Sequence, residues 1–265
     1  MTGEGRVKSA MKSKEVHYGT WEIGGPRHYY REGLILRNLE NAVIKGRVLD
    51  VGCGTGSLVV KLSLHGYNVC GIDMSDECLE VTSRRLNLLQ LNGRGEVKRG
   101  NALQIDYPDS FFDAIIAGEI LEHLEDDHLA VKEFWRVLRP RGVCLITVPA
   151  NPGLWDKWDE MAGHKRRYSG DGLIPLFTGH SFQVEKVFYW GFPLMRFYHK
   201  LVFLKWAKHI ENKSGGAISI NDTVTRIGLS KWMTIILGNL FRIDNLFGSL
   251  PWGIGILLMA RKIRD

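Results

Sequence analysis

The chain has 265 residues, of which 45% are hydrophobic, and its formal net charge is +6. This length is sufficient for one large α/β domain with an appendage, and the 30 glycines lack the spacing of a repeat or collagen-like protein. No apolar run reaches the roughly 18 residues that predict a bilayer-spanning helix, and the N-terminal stretch lacks the apolar core of a signal peptide. Four cysteines without zinc-type spacing are typical of reduced, mostly buried thiols in a cytoplasmic protein.

Strands and helices are predicted to alternate in the first half of the chain. Residues 1–16 are predicted to be disordered, and apolar residues at helical spacing predict a helix over residues 27–42. The elements that follow are strand, helix, strand, helix, two strands, helix and strand, at residues 47–51, 57–64, 68–72, 76–91, 96–99, 112–117, 127–138 and 143–148. Asp76 or Ser75 is the expected N-cap of the helix over 76–91. This order is typical of βαβ units, which build a parallel sheet with helices on both faces.

The pattern changes after Pro149. Residues 151–172 are rich in Trp, Gly and charge, which is typical of a functional loop. A helix, a strand, two helices and a last strand are then predicted, at residues 173–178, 181–190, 192–209, 222–241 and 253–261. We divide the chain into an N-terminal arm or lid, a core, a helical insertion rich in basic and aromatic residues, and a last strand with a tail, at residues 1–45, 46–190, 191–252 and 253–265.

A glycine turn follows the first predicted strand, where residues 50–56 read DVGCGTG. Parallel sheets bind ligands at the carboxyl ends of their strands, so this turn is the predicted ligand site. A P-loop would carry a lysine after its last glycine, but Gly56 is followed by Ser57 and Leu58. A dinucleotide fingerprint would need one more residue between the glycines. The carboxylate of Asp50 favours a ligand with a cationic group.

An acidic residue followed by G-x-G-x-G resembles the first motif of the class I S-adenosylmethionine-dependent methyltransferases. The resemblance covers about residues 45–190, and the stretch 111–149 is similar to that family's fourth strand, next helix and fifth strand. It implies a Rossmann-like α/β fold, in which a seven-stranded, mostly parallel sheet has helices on both faces. We add to it an N-terminal helical lid and a helical insertion before the last strand. The implied cofactor is S-adenosylmethionine.

The resemblance also implies which residues hold this cofactor. Asp73 ends the second strand, where the family's acidic residue binds both ribose hydroxyls, a contact that suits a carboxylate. Asn101 stands at the family's adenine site, where Asp is commoner. The full predicted set is Asp50, Gly52, Cys53, Gly54, Thr55, Gly56, Asp73, Met74, Asn101, Ala102 and Glu119.

The first candidate for acceptor chemistry is Glu119-x-x-Glu122-His123, just after the fourth strand. A similar E-x-x-E-H binds a divalent metal in ubiquinone-pathway O-methyltransferases and in small-RNA 2′-O-methyltransferases. Similar segments are also widespread in family members that are not known to use metal. We therefore predict Glu119 and His123 as catalytic residues and no metal site. The alternative is a metal held by Glu119, Glu122 and His123, a set that His164 could complete.

The second candidate is the stretch 158–169, which resembles a subgroup with W-D-E-x-x-G-H-x-R-R-Y-S after the fifth strand. Members of this subgroup are linked to envelope glycan or lipid pathways. Next to His164, the predicted catalytic base, three side chains suit an anionic or phosphorylated acceptor and are predicted to bind it, namely Arg166, Arg167 and Tyr168.

A structural role is the alternative for the same stretch. Arg167 would then pair with Asp159 or Glu160, and Tyr168 would pack before a helix cap at Ser169.

Aromatic residues near the N-terminus are predicted to close over the cofactor. Tyr18 and Trp21 are assigned to substrate binding, since they could exclude water and face a sulfonium through a cation–π contact. The alternative is an arm that packs on the core.

Most of the positive charge lies in the last third of the chain. Residues 181–265 hold 12 Lys/Arg and 5 Asp/Glu, whereas residues 1–180 are nearly neutral. Aromatic and aliphatic side chains alternate with basic ones over 188–252, which favours contact with a membrane surface. The alternative is a helical pair that covers the sheet or forms a dimer seam. Nucleic acid is not an expected partner, because no RNA-binding module is present.

The sequence thus predicts an S-adenosylmethionine-dependent methyltransferase that acts on an oxygen of a small-molecule, glycan or lipid-linked acceptor. The expected location is the cytoplasm, peripherally at the inner face of the membrane. Two alternatives stay open at this point: a non-catalytic, cofactor-binding interaction module, and a metal-dependent O-methyltransferase of the quinone or RNA 2′-O type. The oligomeric state is not predicted.

Overall fold

The computed structural model describes residues 25–43, 45–205 and 231–263. Its seven strands are β1 (Arg47–Val51), β2 (Asn68–Asp73), β3 (Gly95–Arg99), β4 (Phe112–Gly118), β5 (Leu138–Pro149), β6 (Phe182–Trp190) and β7 (Gly255–Lys262). They form one sheet in the order β3-β2-β1-β4-β5-β7-β6. The strands from β3 to β5 pair in parallel, and β7 runs antiparallel to both β5 and β6. The predicted Rossmann-like, mostly parallel sheet is therefore confirmed.

Helices cover both faces of the sheet. They are α1 (Pro26–Ala42), α2 (Ser57–Leu64), α3 (Asp76–Leu88), α4 (Asp127–Val137), α5 (Lys157–Ala162), α6 (Gly170–Thr178), α7 (Leu194–Tyr198) and α8 (Lys231–Leu240). Successive side chains of a strand point to opposite faces. Val48 of β1 accordingly belongs to one hydrophobic cluster with Leu39 of α1. Leu49 belongs to a second cluster with Phe134 of α4 and Phe177 of α6. Each side chain of this size stabilises the fold by roughly 1.5–3 kcal/mol when buried.

Parallel pairing brings the ends of β1, β2 and β4 to one edge of the sheet. Val51 of β1 pairs with Ile72 of β2 and with Ala117 of β4. The glycine turn after β1, Asp73 at the end of β2 and Glu119 just after β4 consequently lie side by side. This carboxyl edge is where doubly wound sheets bind their ligands.

Helix α1 is anchored beside the glycine turn by a buried carboxylate. Glu32 lies 2.8 Å from Nζ of Lys61 and 2.9 Å from Nε2 of His28, and the Ser57 hydroxyl donates to it. Burial alone would raise the pKa of Glu32, but His28 and Lys61 outweigh it and hold that pKa below its usual range. The predicted helix is thus present and fixed at the ligand edge, and its role as a lid stays a prediction.

The predicted helix over 76–91 is shorter than expected. It ends at Leu88, and Gln90 has a left-handed φ of 56° that an α-helix does not continue through. Of the two predicted N-caps, Ser75 is the cap, since its Oγ accepts a hydrogen bond of 3.2 Å from the backbone N of Cys78.

Two elements differ from the sequence prediction around residues 138–162. Strand β5 begins at Leu138, immediately after α4, because Leu138 pairs with Phe112 of β4. The predicted loop contains a helix, α5, although its composition is rich in Trp and Gly. A capping box forms this helix: Oδ1 of Asp156 accepts from the backbone N of Trp158 over 2.9 Å, and Oδ2 of Asp159 accepts from the N of Asp156 over 2.8 Å.

The described parts of the insertion pack on α1 and on each other. Asp244 accepts hydrogen bonds from the backbone N of Leu194 and Met195 over 2.9 and 3.0 Å, which joins the two parts. The Tyr30 hydroxyl of α1 donates to Asn245. Besides α7 and α8, the insertion contains a π-helical turn (His199–Phe203) and a 3-10 helix (Phe241–Phe247). The predicted helices over 192–209 and 222–241 extend into residues 206–230, which lie outside the described residues.

Several predictions fall on parts of the chain that the structure does not describe. Residues 1–24 are among them, so the disorder of 1–16 and the contacts of Tyr18 and Trp21 stay predictions. The division into arm, core, insertion and tail also stays a prediction. Among the helices of the described ranges, none has both the length and the hydrophobicity that are needed to cross a bilayer.

Candidate active site

The three glycines of the turn after β1 all have left-handed backbone angles. The φ angle is 69° at Gly52, 51° at Gly54 and 74° at Gly56. Glycine adopts this region at no steric cost, whereas other L-residues are strained there. The backbone N–H groups of Gly52 and Cys53 donate to the carbonyl of Ile72 over 2.8 and 3.0 Å. The turn is therefore held against the end of β2.

Helix α3 supports the turn from the other side. The Thr82 hydroxyl donates to the carbonyl of Gly54 over 3.0 Å, and the Arg85 guanidinium donates to the carbonyl of Thr55 over 2.8 Å. The side chain of Cys53 is buried, and this burial raises the pKa of its thiol. Cys53 thus remains protonated, as expected for a residue that fills space.

Asp73 links the turn to the end of β2. Its Oδ2 accepts a hydrogen bond of 2.8 Å from the N of Gly54, and its Oδ1 accepts one of 2.9 Å from the N of Ser75. A carboxylate oxygen has two lone pairs, so both oxygens retain capacity for a further donor. Met74, next in the chain, exposes 62% of its surface at the same edge. A carboxylate that can accept from two hydroxyls, next to an exposed apolar side chain, suits the ribose and base of a nucleoside.

The predicted adenine site lies after β3. Asn101 is exposed, and its Oδ1 accepts a hydrogen bond of 2.9 Å from the N of Leu103, whereas Ala102 is buried. The amide oxygen therefore shapes its own turn. One of its lone pairs and the amide NH2 remain for a ligand.

Asp50 is buried beside two other carboxylates. Burial, and next to it the charges of Glu32 and Asp73, raise the pKa of Asp50 to about 8. The free protein therefore holds Asp50 mainly as the neutral acid at pH 7. A cationic group at the turn would favour the ionised form.

We expect the substitution Asp50→Asn to stabilise the free protein increasingly as the pH rises. An unfolded Asp loses its proton near pH 4, whereas folded Asp50 keeps it up to about pH 8, so wild-type stability falls over this interval. The free energy of unfolding should favour the variant by more than about 1 kcal/mol at pH 8 relative to pH 5. Urea unfolding at both pH values measures it.

The exposed carboxylate of Asp106 provides the control for this measurement. Its side chain is 93% exposed, so Asp106→Asn should show no comparable trend with pH. An Asp50→Asn variant whose stability relative to wild type is the same at both pH values would contradict the assignment.

Glu119 sits at the end of β4 in a strained conformation. Its φ is 59°, a left-handed angle that costs a non-glycine residue on the order of 1–3 kcal/mol. Its Oε2 lies 3.6 Å from Nη1 of Arg31 in α1. Its buried Oε1 has no hydrogen-bond partner among the described residues. Such strain is found where a side chain is aimed at a ligand.

The next turn brings the two predicted catalytic histidines together. The loop between α5 and α6 is joined to the turn that contains Glu122, because the N of Lys165 donates a hydrogen bond of 2.8 Å to the carbonyl of Glu122. The ring centroids of His123 and His164 are 4.9 Å apart and nearly perpendicular. Burial, and the charge of Glu119, raise the pKa of Glu122 well above its usual range. Burial, followed by His164, lowers the pKa of His123.

Three residues that were predicted to bind the acceptor have partners within the protein. Arg167 is buried and pairs with Asp159, with 2.7 Å between Nη2 and Oδ2. Tyr168 is also buried, and its hydroxyl donates to Oδ2 of Asp127 over 2.7 Å. Arg166 lies 2.9 Å from the same carboxylate and is only one-third exposed. The pair of Arg167 and Asp159 was named in the structural alternative and is present. The acceptor contacts of Arg166, Arg167 and Tyr168 stay a prediction.

Several residues at this edge were not identified from the sequence. His199 of the π-helical turn contacts Asp156 over 2.7 Å and Arg27 of α1 over 2.9 Å. Arg31 faces Glu119, and Asp127 holds two of the loop's side chains. These residues contact partners that are distant in the sequence, and no local motif indicates such contacts. Asp159 was named only as an alternative ion-pair partner, although its place three residues after Asp156 fits a capping box.

Comparison with known proteins identifies the core. Residues 49–146 match the family model described as a methyltransferase domain. Residues 49–146 therefore have the sequence of a methyltransferase domain. The matched span begins within β1 and ends within β5, so it includes the glycine turn, Asp73, Asn101 and the turn with Glu122 and His123.

Two curated relatives of this domain are methyltransferases. The methyltransferase domain is 32% identical over 142 residues to a demethylmenaquinone methyltransferase of Lactiplantibacillus plantarum, which covers 51% of this chain and 59% of the relative. It is 28% identical over 144 residues to the 27-O-demethylrifamycin SV methyltransferase of Amycolatopsis mediterranei, covering 52% and 51%. The chain thus spans about half the length of the curated relatives it matches.

A solved structure shows that the fold extends beyond the matched span. The cyclase SpnF aligns with a TM-score of 0.65 and 21% identity, over 94% of this chain and 88% of that one. At this identity the likeness concerns the fold alone, and fold does not determine reaction. The predicted domain and fold are confirmed, whereas the roles of individual site residues stay predictions.

Proposed function

We propose that the protein transfers a methyl group from S-adenosylmethionine to an oxygen of a small-molecule acceptor. The observation that carries this proposal is the turn after β1 within a methyltransferase domain: three left-handed glycines, a buried carboxyl at Asp50 and a second carboxylate at Asp73. Curated relatives of this domain include methyltransferases with oxygen and quinone-type acceptors. A non-catalytic interaction module is not favoured by these relatives.

Each end of the cofactor has a partner at the carboxyl edge. Asp50 receives the ammonium group of the methionine part, which offsets the cost of ionising a buried carboxyl. Asp73 accepts both ribose hydroxyls with its remaining lone pairs. Met74 and Asn101 contact the adenine, through the exposed thioether and the free part of the amide.

Methyl transfer requires alignment more than chemical assistance. The bond between acceptor oxygen and methyl carbon forms while the bond between carbon and sulfur breaks, and the electron pair stays on sulfur. Holding both reactants in line is worth roughly 7–11 kcal/mol. Of the predicted catalytic residues, we assign Glu119 to the hydroxyl proton, because its buried Oε1 has no partner among the described residues.

A transfer assay tests the proposed reaction. Protein incubated with methyl-labelled S-adenosylmethionine and a fractionated small-molecule and lipid extract should release S-adenosylhomocysteine and yield a labelled product. Glu119→Gln should reduce product formation by about 100-fold or more, the usual share of a general base. Binding of the cofactor without a labelled product in any fraction would support the interaction module instead.

The substitution Asp73→Ala is expected to weaken cofactor binding by about 10- to 150-fold. This corresponds to the 1.5–3 kcal/mol typical of a hydrogen bond to a charged group. Calorimetric titration with S-adenosylhomocysteine measures the change. Asp73→Asn keeps one acceptor oxygen and should therefore lose less affinity for the cofactor. Asp76→Ala is the matched control, because Asp76 pairs with Arg99 on the surface. Unchanged affinity in Asp73→Ala would remove the ribose assignment.

We further propose that the acceptor is lipid-linked and is reached at a membrane surface. Large apolar side chains of the insertion are exposed, with 77% of Trp232, 61% of Ile236 and 62% of Phe197 accessible. The insertion packs on α1, and its His199 contacts Asp156 in the stretch after β5. The net positive charge of the last third of the chain complements an anionic phospholipid surface.

Flotation with vesicles tests this surface. The protein should float with vesicles that contain anionic phospholipid at low salt, and Trp232→Ser with Ile236→Ser should abolish flotation. Leu88→Ser is the matched control, because Leu88 is 76% exposed on α3, away from the insertion. Equal flotation of both variants, or none with the wild type, would contradict the proposal.

A further inference from the structure

We propose that Glu122, His123 and His164 bind one divalent transition-metal ion of the zinc and cobalt class. Such a site goes beyond the proposed methyl transfer and differs from the sequence prediction of no metal. Among the residues of the alternative set, which His164 could complete, it uses Glu122, His123 and His164 without Glu119.

The three side chains converge on one point. Each offers one ligand atom, and these atoms lie within 4.8 Å of one another. A tetrahedral site with bonds of about 2.0–2.1 Å separates its ligand atoms by roughly 3.4 Å. Side-chain rotations close the remaining difference of at most about 1.4 Å.

Glu122 supplies a second, independent observation. Its side chain is fully buried, and neither carboxylate oxygen has a hydrogen-bond partner among the described residues. Burying a polar group without partners is costly, and native structures rarely leave one in this state. A cation at the cluster resolves that cost, because the carboxylate becomes a ligand.

His164 is oriented as a metal ligand by a neighbouring carboxylate. Its Nδ1 lies 2.7 Å from Oδ1 of Asp159, which directs Nε2 toward Oε1 of Glu122 at 4.0 Å. Asp159 is itself fixed by Arg167 and by the N of Asp156. A carboxylate that accepts from one imidazole nitrogen sets the tautomer, so that the other nitrogen presents its lone pair.

His123 lies beside His164 in the cluster. The centroids of the two rings are 4.9 Å apart, and the rings are nearly perpendicular. A neutral imidazole carries one nitrogen with a free lone pair, so His123 can offer that nitrogen to the same ion.

The donor set selects the class of ion. Two imidazole nitrogens and one carboxylate oxygen suit zinc, cobalt and other first-row ions. Magnesium and calcium prefer sites made entirely of oxygen. Three protein ligands leave a fourth position for water or for an oxygen of a bound molecule.

Cobalt titration of the full chain tests the site. After treatment with a chelator, the protein should bind one equivalent of Co2+ with a visible ligand-field absorption band, and Zn2+ should displace it, whereas millimolar Mg2+ should not. Glu122→Gln and His164→Ala should each weaken binding by at least about 10-fold. Asp159→Asn, which removes the positioning carboxylate, should weaken it by about 10- to 100-fold.

Control variants separate this site from surface binding and from misfolding. The exposed pair His128 and His180 lies 3.2 Å apart on α4 and after α6, and His180→Ala should retain the band. Glu122→Gln nearly preserves side-chain shape, so its circular dichroism and cofactor affinity should match the wild type. No band in the wild type, or an unchanged band in Glu122→Gln and His164→Ala, overturns the proposal. In that case Glu122 is a buried neutral acid, and the cofactor assignment is unaffected.

Discussion

Replacing Asp159 by alanine is expected to lower the free energy of unfolding by about 3–5 kcal/mol, because it removes one partner of a buried ion pair. The Asp159 side chain is fully buried and Arg167 is 5% exposed. The same carboxylate also accepts from His164 and from the N of Asp156, so the variant loses the capping box of α5 as well. Chemical denaturation at pH 7 measures the loss.

Glu160 provides a control in the same helix. Its side chain is 56% exposed and pairs with Lys157 at 3.4 Å. An exposed pair of this kind contributes about 0–1 kcal/mol, so Glu160→Ala should stay within that range. Similar losses in the two variants would mean that the Asp159 network does not hold the loop as described.

The substitution Gly56→Ala should destabilise the protein by about 2–5 kcal/mol and should abolish cofactor binding. A Cβ at Gly56 would lie 2.1 Å from Cγ2 of Thr82, well inside contact distance, and φ is 74°. The cost therefore combines the left-handed strain of about 1–2 kcal/mol with overpacking of about 1–3 kcal/mol. Thermal unfolding and calorimetry measure the two effects.

Gly163→Ala isolates the steric part of this effect. Gly163 has a similar φ of 71°, but a Cβ there would meet nothing within 4 Å. The free energy of unfolding of this variant should fall only by the strain term, which is about 1–2 kcal/mol. If Gly56→Ala were as stable as Gly163→Ala, the close contact between Gly56 and Thr82 of α3 would be contradicted.

The sheet and the cofactor edge were predictable because their signals are local. Strand β1, the turn 50–56 and Asp73 follow one another at the spacing of a βαβ unit, and apolar runs mark the buried strands. Parallel pairing then determines that the ends of these strands meet. Element boundaries that were predicted wrongly depend on pairing with residues far away in the sequence. Strand β5, for example, begins at Leu138 because Phe112 of β4 lies opposite.

The acceptor side was less predictable because its contacts join distant parts of the chain. An anion site is suggested by the chemistry of Arg166, Arg167 and Tyr168. In the fold, Asp127 pairs with Arg166 and accepts from Tyr168, and Asp159 pairs with Arg167. Only the folded chain shows which carboxylate a basic residue meets. The same holds for His164, which joins Glu122 and His123 across some 40 residues once the loop folds back.

Calorimetric titration with three ligands tests whether the turn at 50–56 holds S-adenosylmethionine. We expect one S-adenosylmethionine to bind per chain with micromolar affinity, and NAD and ATP to give no heat of binding. This follows from a turn that is too short for a pyrophosphate and lacks the lysine of a P-loop. Binding of NAD or ATP in place of S-adenosylmethionine would show that the turn serves a different cofactor.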